Sequence, residues 1–143
     1  RVWWESDAKG GRDGECDHSM HRRIETPFRR LVELAAGCGA RLKVHDAYRA
    51  TGIHSPRSLH REGRAIDLTS DDISLEEVAK LAWQAGFDWV YHECPRGGGH
   101  HVHASVRRDA ADLAASATSA VPRQTTAISA IGGTQRAASR KRP

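Results

Sequence analysis

The stretch His101–Val106, HVHASV, puts Val102, Ala104 and Val106 on one side of an extended chain and His101, His103 and Ser105 on the other. Side chains alternate across a strand, so this segment demands a sheet with one apolar face and one face carrying imidazoles. RAIDLT (64–69) repeats the demand, with Ile66 and Leu68 facing one way and Ala65 and Asp67 the other. RLKVHDAY (41–48) alternates Leu42, Val44 and Asp46 against Lys43 and His45, and FDWVY (87–91) alternates Phe87, Trp89 and Tyr91. Four two-faced segments need a cover for their apolar sides.

Two helical patterns supply it. Phe28, Leu31, Ala35 and Cys38 follow a helical face, with Thr26 as the expected cap, Pro27 in the first turn and Gly37 and Gly39 at the end. Ser74 and Glu77 form a capping box, Leu75, Val78, Ala79 and Ala82 mark a second face, and Gly86 stops it. Gly52 and Pro56 break the chain between the first two strands, and CPRGGG (94–99) reads as a flexible excursion between the last two. Residues 1–23 are polar and Gly-containing apart from Val2–Trp4 and read as an irregular lead-in. Residues 107–143 are rich in Ala, Ser, Thr and Arg and contain no aromatic, so they lack the apolar groups that offset ordering entropy and read as a disordered tail, with a short Ala-rich helix near 109–117. The expectation is one α+β domain over 24–106: a small, mainly antiparallel sheet with helices on one face.

Charge narrows the function classes. The 143-residue chain has a formal charge of +4 from 22 basic and 18 acidic residues. Seven basic and two acidic residues lie from Arg107 onward, so the tail carries +5 and residues 1–106 only −1. The alkaline balance belongs to the tail, and without aromatic interleaving or a recognition motif it is no argument for specific nucleic-acid binding. No apolar run is long enough to span a membrane. Cys16, Cys38 and Cys94 show no CxxC spacing and form no disulfide framework.

The chemistry is concentrated in histidines, of which there are nine. His60 precedes one strand and Asp67 lies on it, His101 and His103 share a face of another, and Glu93 ends the strand between. Three N/O ligands with one open position describe a catalytic zinc site, and a carboxylate beside it can act as general base. Taken singly, each of these residues is better explained as a surface or core group; together they raise a metal site as a hypothesis.

SLHREGRAID (58–67) resembles the S-x-H-x-x-G-x-A-x-D pattern of the zinc D-alanyl-D-alanine peptidases, whose His and Asp bind zinc. The resemblance implies His60 and Asp67 as ligands, and DAYR (46–49) places Arg49 where those enzymes carry an Arg facing the substrate carbonyl. SLHREGRAIDLT, LAWQAGFDWVYHE and HVHASV, in that order, are also similar to the Hedgehog amino-terminal signalling domain over roughly residues 20–106. That resemblance implies the Hedgehog/DD-peptidase fold with a zinc cleft on the face opposite the helices. It implies one Zn2+ held by His60, Asp67 and His103, Glu93 as catalytic base, Arg49 and His101 as oxyanion stabilisers, and His54 as a substrate-binding wall. The acidic calcium cluster of animal Hedgehog domains is broken here, because Arg49 and Thr51 stand where acids are expected, so no calcium is expected. Four extra residues around PRGGG lengthen the link from Glu93 to the His pair. These departures imply a bacterial Hedgehog-type peptidase, monomeric, periplasmic or secreted, with peptidoglycan peptides as substrate. The competing expectation is a catalytically silent, zinc-stabilised binding or signalling domain.

Overall fold

The structure is a computed structural model that describes residues 1–9, 15–52, 54–111 and 113. Contacts divide it into a unit running Arg1–Arg108 and a second, Asp109–Pro143. The first unit contains, in order, β1 (Trp3–Trp4), α1 (Glu5–Lys9), β2 (Glu15–Cys16), α2 (Arg22–Gly37), β3 (Leu42–Asp46), β4 (Tyr48–Arg49), a 3-10 turn (Leu59–Glu62), β5 (Ala65–Ser70), α3 (Leu75–Ala85), β6 (Trp89–Glu93) and β7 (His101–Ser105). In the second unit the Leu113 N–H bonds the Asp109 carbonyl. The remainder of the tail reading, and residues 10–14 of the lead-in, lie outside the described residues.

The main sheet has strand order β1-β3-β5-β7-β6. It is mixed: β1 runs parallel to β3, and every other pair is antiparallel. β2 and β4 form a separate antiparallel ribbon. The lead-in is therefore not wholly irregular, since Trp3–Trp4 extend the sheet and Ser6 donates its backbone N–H to the buried Asp17 carboxylate. Leu42, Val44, Ile66, Leu68, Val102 and Ala104 form the sheet's side of the core, and Ile24, Leu31 and Ala35 of α2 with Val78, Leu81, Ala82 and Ala85 of α3 close over it.

Two local expectations need correcting. Helix α2 begins a turn before Thr26, with His21 as its cap and the His21 ring accepting from the Arg23 N–H. Ile24, Pro27, Leu31 and Ala35 form one buried stripe, and the burial of Ile24 draws the helix back, leaving Pro27 inside it. Strand β6 is also turned over relative to its apolar pattern. Phe87 is buried but precedes the strand, Val90 packs on the core, and Trp89 and Tyr91 lie exposed on the other side. Helix α3 starts and stops as expected, with the Ser74 hydroxyl accepting from the Glu77 N–H and Gly86 in the left-handed region.

Candidate metal centre

Antiparallel pairing of β5 with β7 sets Asp67 directly opposite His103. Residues directly opposite in such a pair share a face, and here that face is the one away from the helices. His60 reaches the same place from the 3-10 turn, and the motif residues of SLHREGRAID (Ser58, Gly63, Ala65) shape that approach. The Ser58 hydroxyl caps the turn by accepting from the His60 N–H. Gly63 ends it at φ +66, with its carbonyl accepting from the His21 N–H at 2.9 Å. A Cβ at Gly63 would lie 2.9 Å from that same His21 nitrogen, so the approach of two backbone segments requires glycine. Ala65 is fully buried, leaving Asp67 as the next residue on the open face.

The result is a triangle of donors. His60 Nε2 lies 3.3 Å from Asp67 Oδ1 and 3.3 Å from His103 Nδ1, and His103 Nδ1 lies 3.0 Å from Asp67 Oδ1. In a tetrahedral zinc site with bonds near 2.0–2.1 Å, ligand atoms sit about 3.3 Å apart. The three side chains therefore fit a zinc ion in spacing and in donor type. His60 is 1% exposed and donates its Nδ1–H to the Ala47 carbonyl at 2.9 Å, which directs Nε2 into the triangle. Burial alone would raise the Asp67 pKa, but hydrogen bonds from His103 and His60 hold its carboxyl well below the usual carboxylate range. Burial lowers that of His60, and Asp67 more than reverses the effect, so the imidazole is shifted up.

Around the triangle stand the remaining residues singled out from the sequence. His101 Nε2 lies 3.6 Å from Asp67 Oδ2 and 3.5 Å from Glu93 Oε2, so it bridges the two carboxylates. Glu93 sits 4.0 Å from His103, farther out than the triangle atoms. His54 stacks on His60 with ring centroids 4.1 Å apart and meets Asp46 through Nε2 at 2.6 Å. An open cleft of about 400 Å³ is lined by His54, Ser55, Ser58, Leu59, His60, Tyr91, Glu93 and His103. Arg49 is not brought into that wall. It is 8% exposed, and its Nε lies 3.2 Å from Asp46 Oδ2. Two overlapping donor groups, Asp46–His54–His60–Asp67 and Asp67–Glu93–His101, share Asp67 with the triangle.

Sequence reasoning missed three contributors. Tyr91 donates its hydroxyl proton to Glu93 at 3.2 Å, and burial together with the Glu93 charge pushes its pKa up to about 12. Its position two residues before Glu93 on a strand was the available signal. Arg61 fastens the preceding loop by donating to the carbonyls of Ser55, Gly52, His54 and Ala50, which holds His54 in place. Asp46 turns to the cleft because β3 slips register between Val44, opposite Leu68, and Asp46, opposite Asp67. Such a bulge re-aims a side chain that strict alternation would leave on the core face. Burial raises the Asp46 pKa, against the opposing effect of His54.

Residues 8–105 match the Hedgehog amino-terminal signalling domain. The chain belongs to the Hedgehog amino-terminal signalling domain family. It is 46% identical over 74 residues to Indian hedgehog B protein of Danio rerio, covering 50% of this chain and 17% of that protein. It is 35% identical over 100 residues to Sonic hedgehog protein of Xenopus laevis, covering 68% of this chain and 21% of that protein. Protein hedgehog of Drosophila hydei is 36% identical over 74 residues, half of this chain and 15% of that protein. The chain thus spans about a fifth or less of the length of these relatives. Membership in a signalling-domain family overturns the expectation of peptidoglycan peptides as the partner, which rested on the peptidase-like motif. Among the described residues no helix is long and apolar enough to cross a membrane.

Proposed function

We propose that this chain is a signalling or binding domain of Hedgehog type, acting outside the cell, whose cleft is fastened by zinc through His60, Asp67 and His103. The donor triangle, with edges of 3.0–3.3 Å, carries this reading. Zinc, when bound, ties the 3-10 turn, β5 and β7 together and offers one open position. The chain's own residues do the rest. Ala47 fixes the His60 ring, Arg61 holds the His54 loop, and His101 keeps Glu93 beside Asp67. Trp89 is 65% and Tyr91 40% exposed at the cleft mouth, where they line a hollow with Leu59, Asp88, His103, Ser105 and Arg107. Exposed aromatics next to an Arg are the residue types that anchor protein partners, so the partner is a protein presented to this face.

The test is metal analysis of the purified protein and of His103→Ala. The variant is expected to lose one zinc equivalent relative to wild type and to melt lower. Undiminished zinc in His103→Ala removes that residue from the ligand set and the zinc-fastened cleft with it.

A second reading, peptide-bond hydrolysis, is favoured by one observation: Glu93 lies just beyond the triangle, where a carboxylate can take a proton without being a ligand. Zinc-loaded protein incubated with a mixture of unstructured peptides distinguishes the two. Intact peptides by mass analysis support the binding domain. Cleavage by wild type that is lost in Glu93→Gln establishes the enzyme.

A further inference from the structure

The β6–β7 hairpin has two chemical faces. Tyr91, Glu93, His101 and His103 belong to the cleft side. The alternate residues His92, Cys94 and His100 gather on their own, and nothing in the cleft uses them. His92 Nε2 lies 3.2 Å from His100 Nδ1, and Cys94 Sγ lies 3.3 Å from His100 Nδ1 and 3.6 Å from His92 Nε2. With zinc–nitrogen bonds near 2.0–2.1 Å and a zinc–sulfur bond near 2.3 Å, a tetrahedral site has edges of about 3.3 Å between imidazoles and about 3.6 Å from thiolate to imidazole. All three separations agree within about 0.3 Å of those spacings. The three donor atoms also come together as a group without help from any acidic residue.

The loop is shaped to hold them. The Gly98 N–H bonds the Pro95 carbonyl at 3.2 Å, Gly97 takes φ +76, and a Cβ at Gly98 would lie 2.8 Å from Pro95 Cγ. This tight turn returns the chain so that Glu93 pairs with His101 and the flanking ligands converge. CPRGGG thus closes as a tight turn over these residues.

We infer that His92, Cys94 and His100 form a second metal site, separate from the cleft, for a divalent ion of the zinc class. Two imidazoles and one thiolate suit zinc or copper and do not suit magnesium or calcium, which take oxygen ligands. On binding, the Cys94 thiol releases its proton to solvent, and the fourth position stays with water. Glu93 lies between two of the ligands and His101 follows the third, so a filled hairpin fixes the backbone of both cleft residues.

The test uses Co2+ as the probe, because a thiolate ligand gives an intense near-ultraviolet charge-transfer absorption that a His/Asp site lacks. Full-length metal-free protein, kept reduced with a phosphine, is titrated with Co2+. The band is expected in wild type and in His103→Ala, Cys16→Ser and Cys38→Ser. It is expected to vanish in Cys94→Ser, and the Co2+ affinity to fall at least tenfold in His92→Ala and His100→Ala. Absence of the band, its persistence in Cys94→Ser, its loss with Cys16 or Cys38, or unchanged affinity in both His variants overturns the inference. Because His103→Ala retains the band only if the hairpin acts alone, failure here is distinguishable from failure of the cleft zinc.

Discussion

Gly63→Ala is expected to damage stability and the metal centre together. Gly63 is at φ +66, and an L-residue in that left-handed region costs about 1–2 kcal/mol. The added Cβ would lie 2.9 Å from the His21 nitrogen and 3.3 Å from Met20 Cα, both backbone atoms that cannot swing away. Separating them weakens the His21 N–H to Gly63 carbonyl bond, worth about 0.5–1.5 kcal/mol net. The combined cost is about 1.5–3.5 kcal/mol, and at about 4 °C per kcal/mol for a unit of this size the melting temperature should fall by about 6–14 °C. Gly37→Ala is the matched control. It ends helix α2, nothing lies within 4 Å of its added Cβ, and the same chemical change there should be neutral or stabilising by up to about 1 kcal/mol. Differential scanning fluorimetry with metal analysis reads both outcomes, and Gly63→Ala should also hold zinc more weakly because His60 sits on the displaced turn. A Gly63→Ala protein with wild-type melting and wild-type zinc would refute the claim that this glycine is fixed by the approach of the two backbones.

Three further outcomes are expected. Glu93→Gln should keep cleft zinc, because Glu93 lies outside the donor triangle; loss of zinc by metal analysis would make it a ligand. Millimolar calcium should give no saturable heat in calorimetry, because the Asp46 carboxylate already faces Arg49 and His54; clear micromolar binding would show that those contacts yield to a cation. The Glu62–Arg108 pair, with Arg108 also holding both carboxylate oxygens through Nε at 2.9 and 3.0 Å, gives a pH signature. The Arg108 hydrogen bond lowers the Glu62 pKa below its ordinary 4.5. Its stabilisation is therefore present above that value and lost as pH falls through the lowered one. Glu62→Gln should melt below wild type at pH 7, and the gap measured on metal-free protein should close as the pH falls below the ordinary Glu value; a gap independent of pH would deny the ion pair its role.

The amphipathic periods were legible in the sequence because burial and hydrogen-bond geometry repeat locally. Val102 and Ala104 had to face one way and His101 and His103 the other once the segment was a strand, and Ser74 with Glu77 marked a helix start before any packing was known. Local pattern does not report what a distant segment supplies. The start of α2 depended on a pocket for Ile24, and the facing of β6 on Val90, not Trp89, meeting the helices. The bulge that turns Asp46 to the cleft appears only against β5, and it is the register with β5 that also sets Asp67 opposite His103. Arg49 lay in a segment whose resemblance sent it to the cleft, yet that bulge gave it Asp46 as a buried partner. The residue types for two donor clusters are thus written in the chain, while the spacings of 3.0–3.6 Å within them depend on long-range strand register and a tight turn. The physical reason is that ligand geometry is fixed between segments, where sequence separation carries no distance.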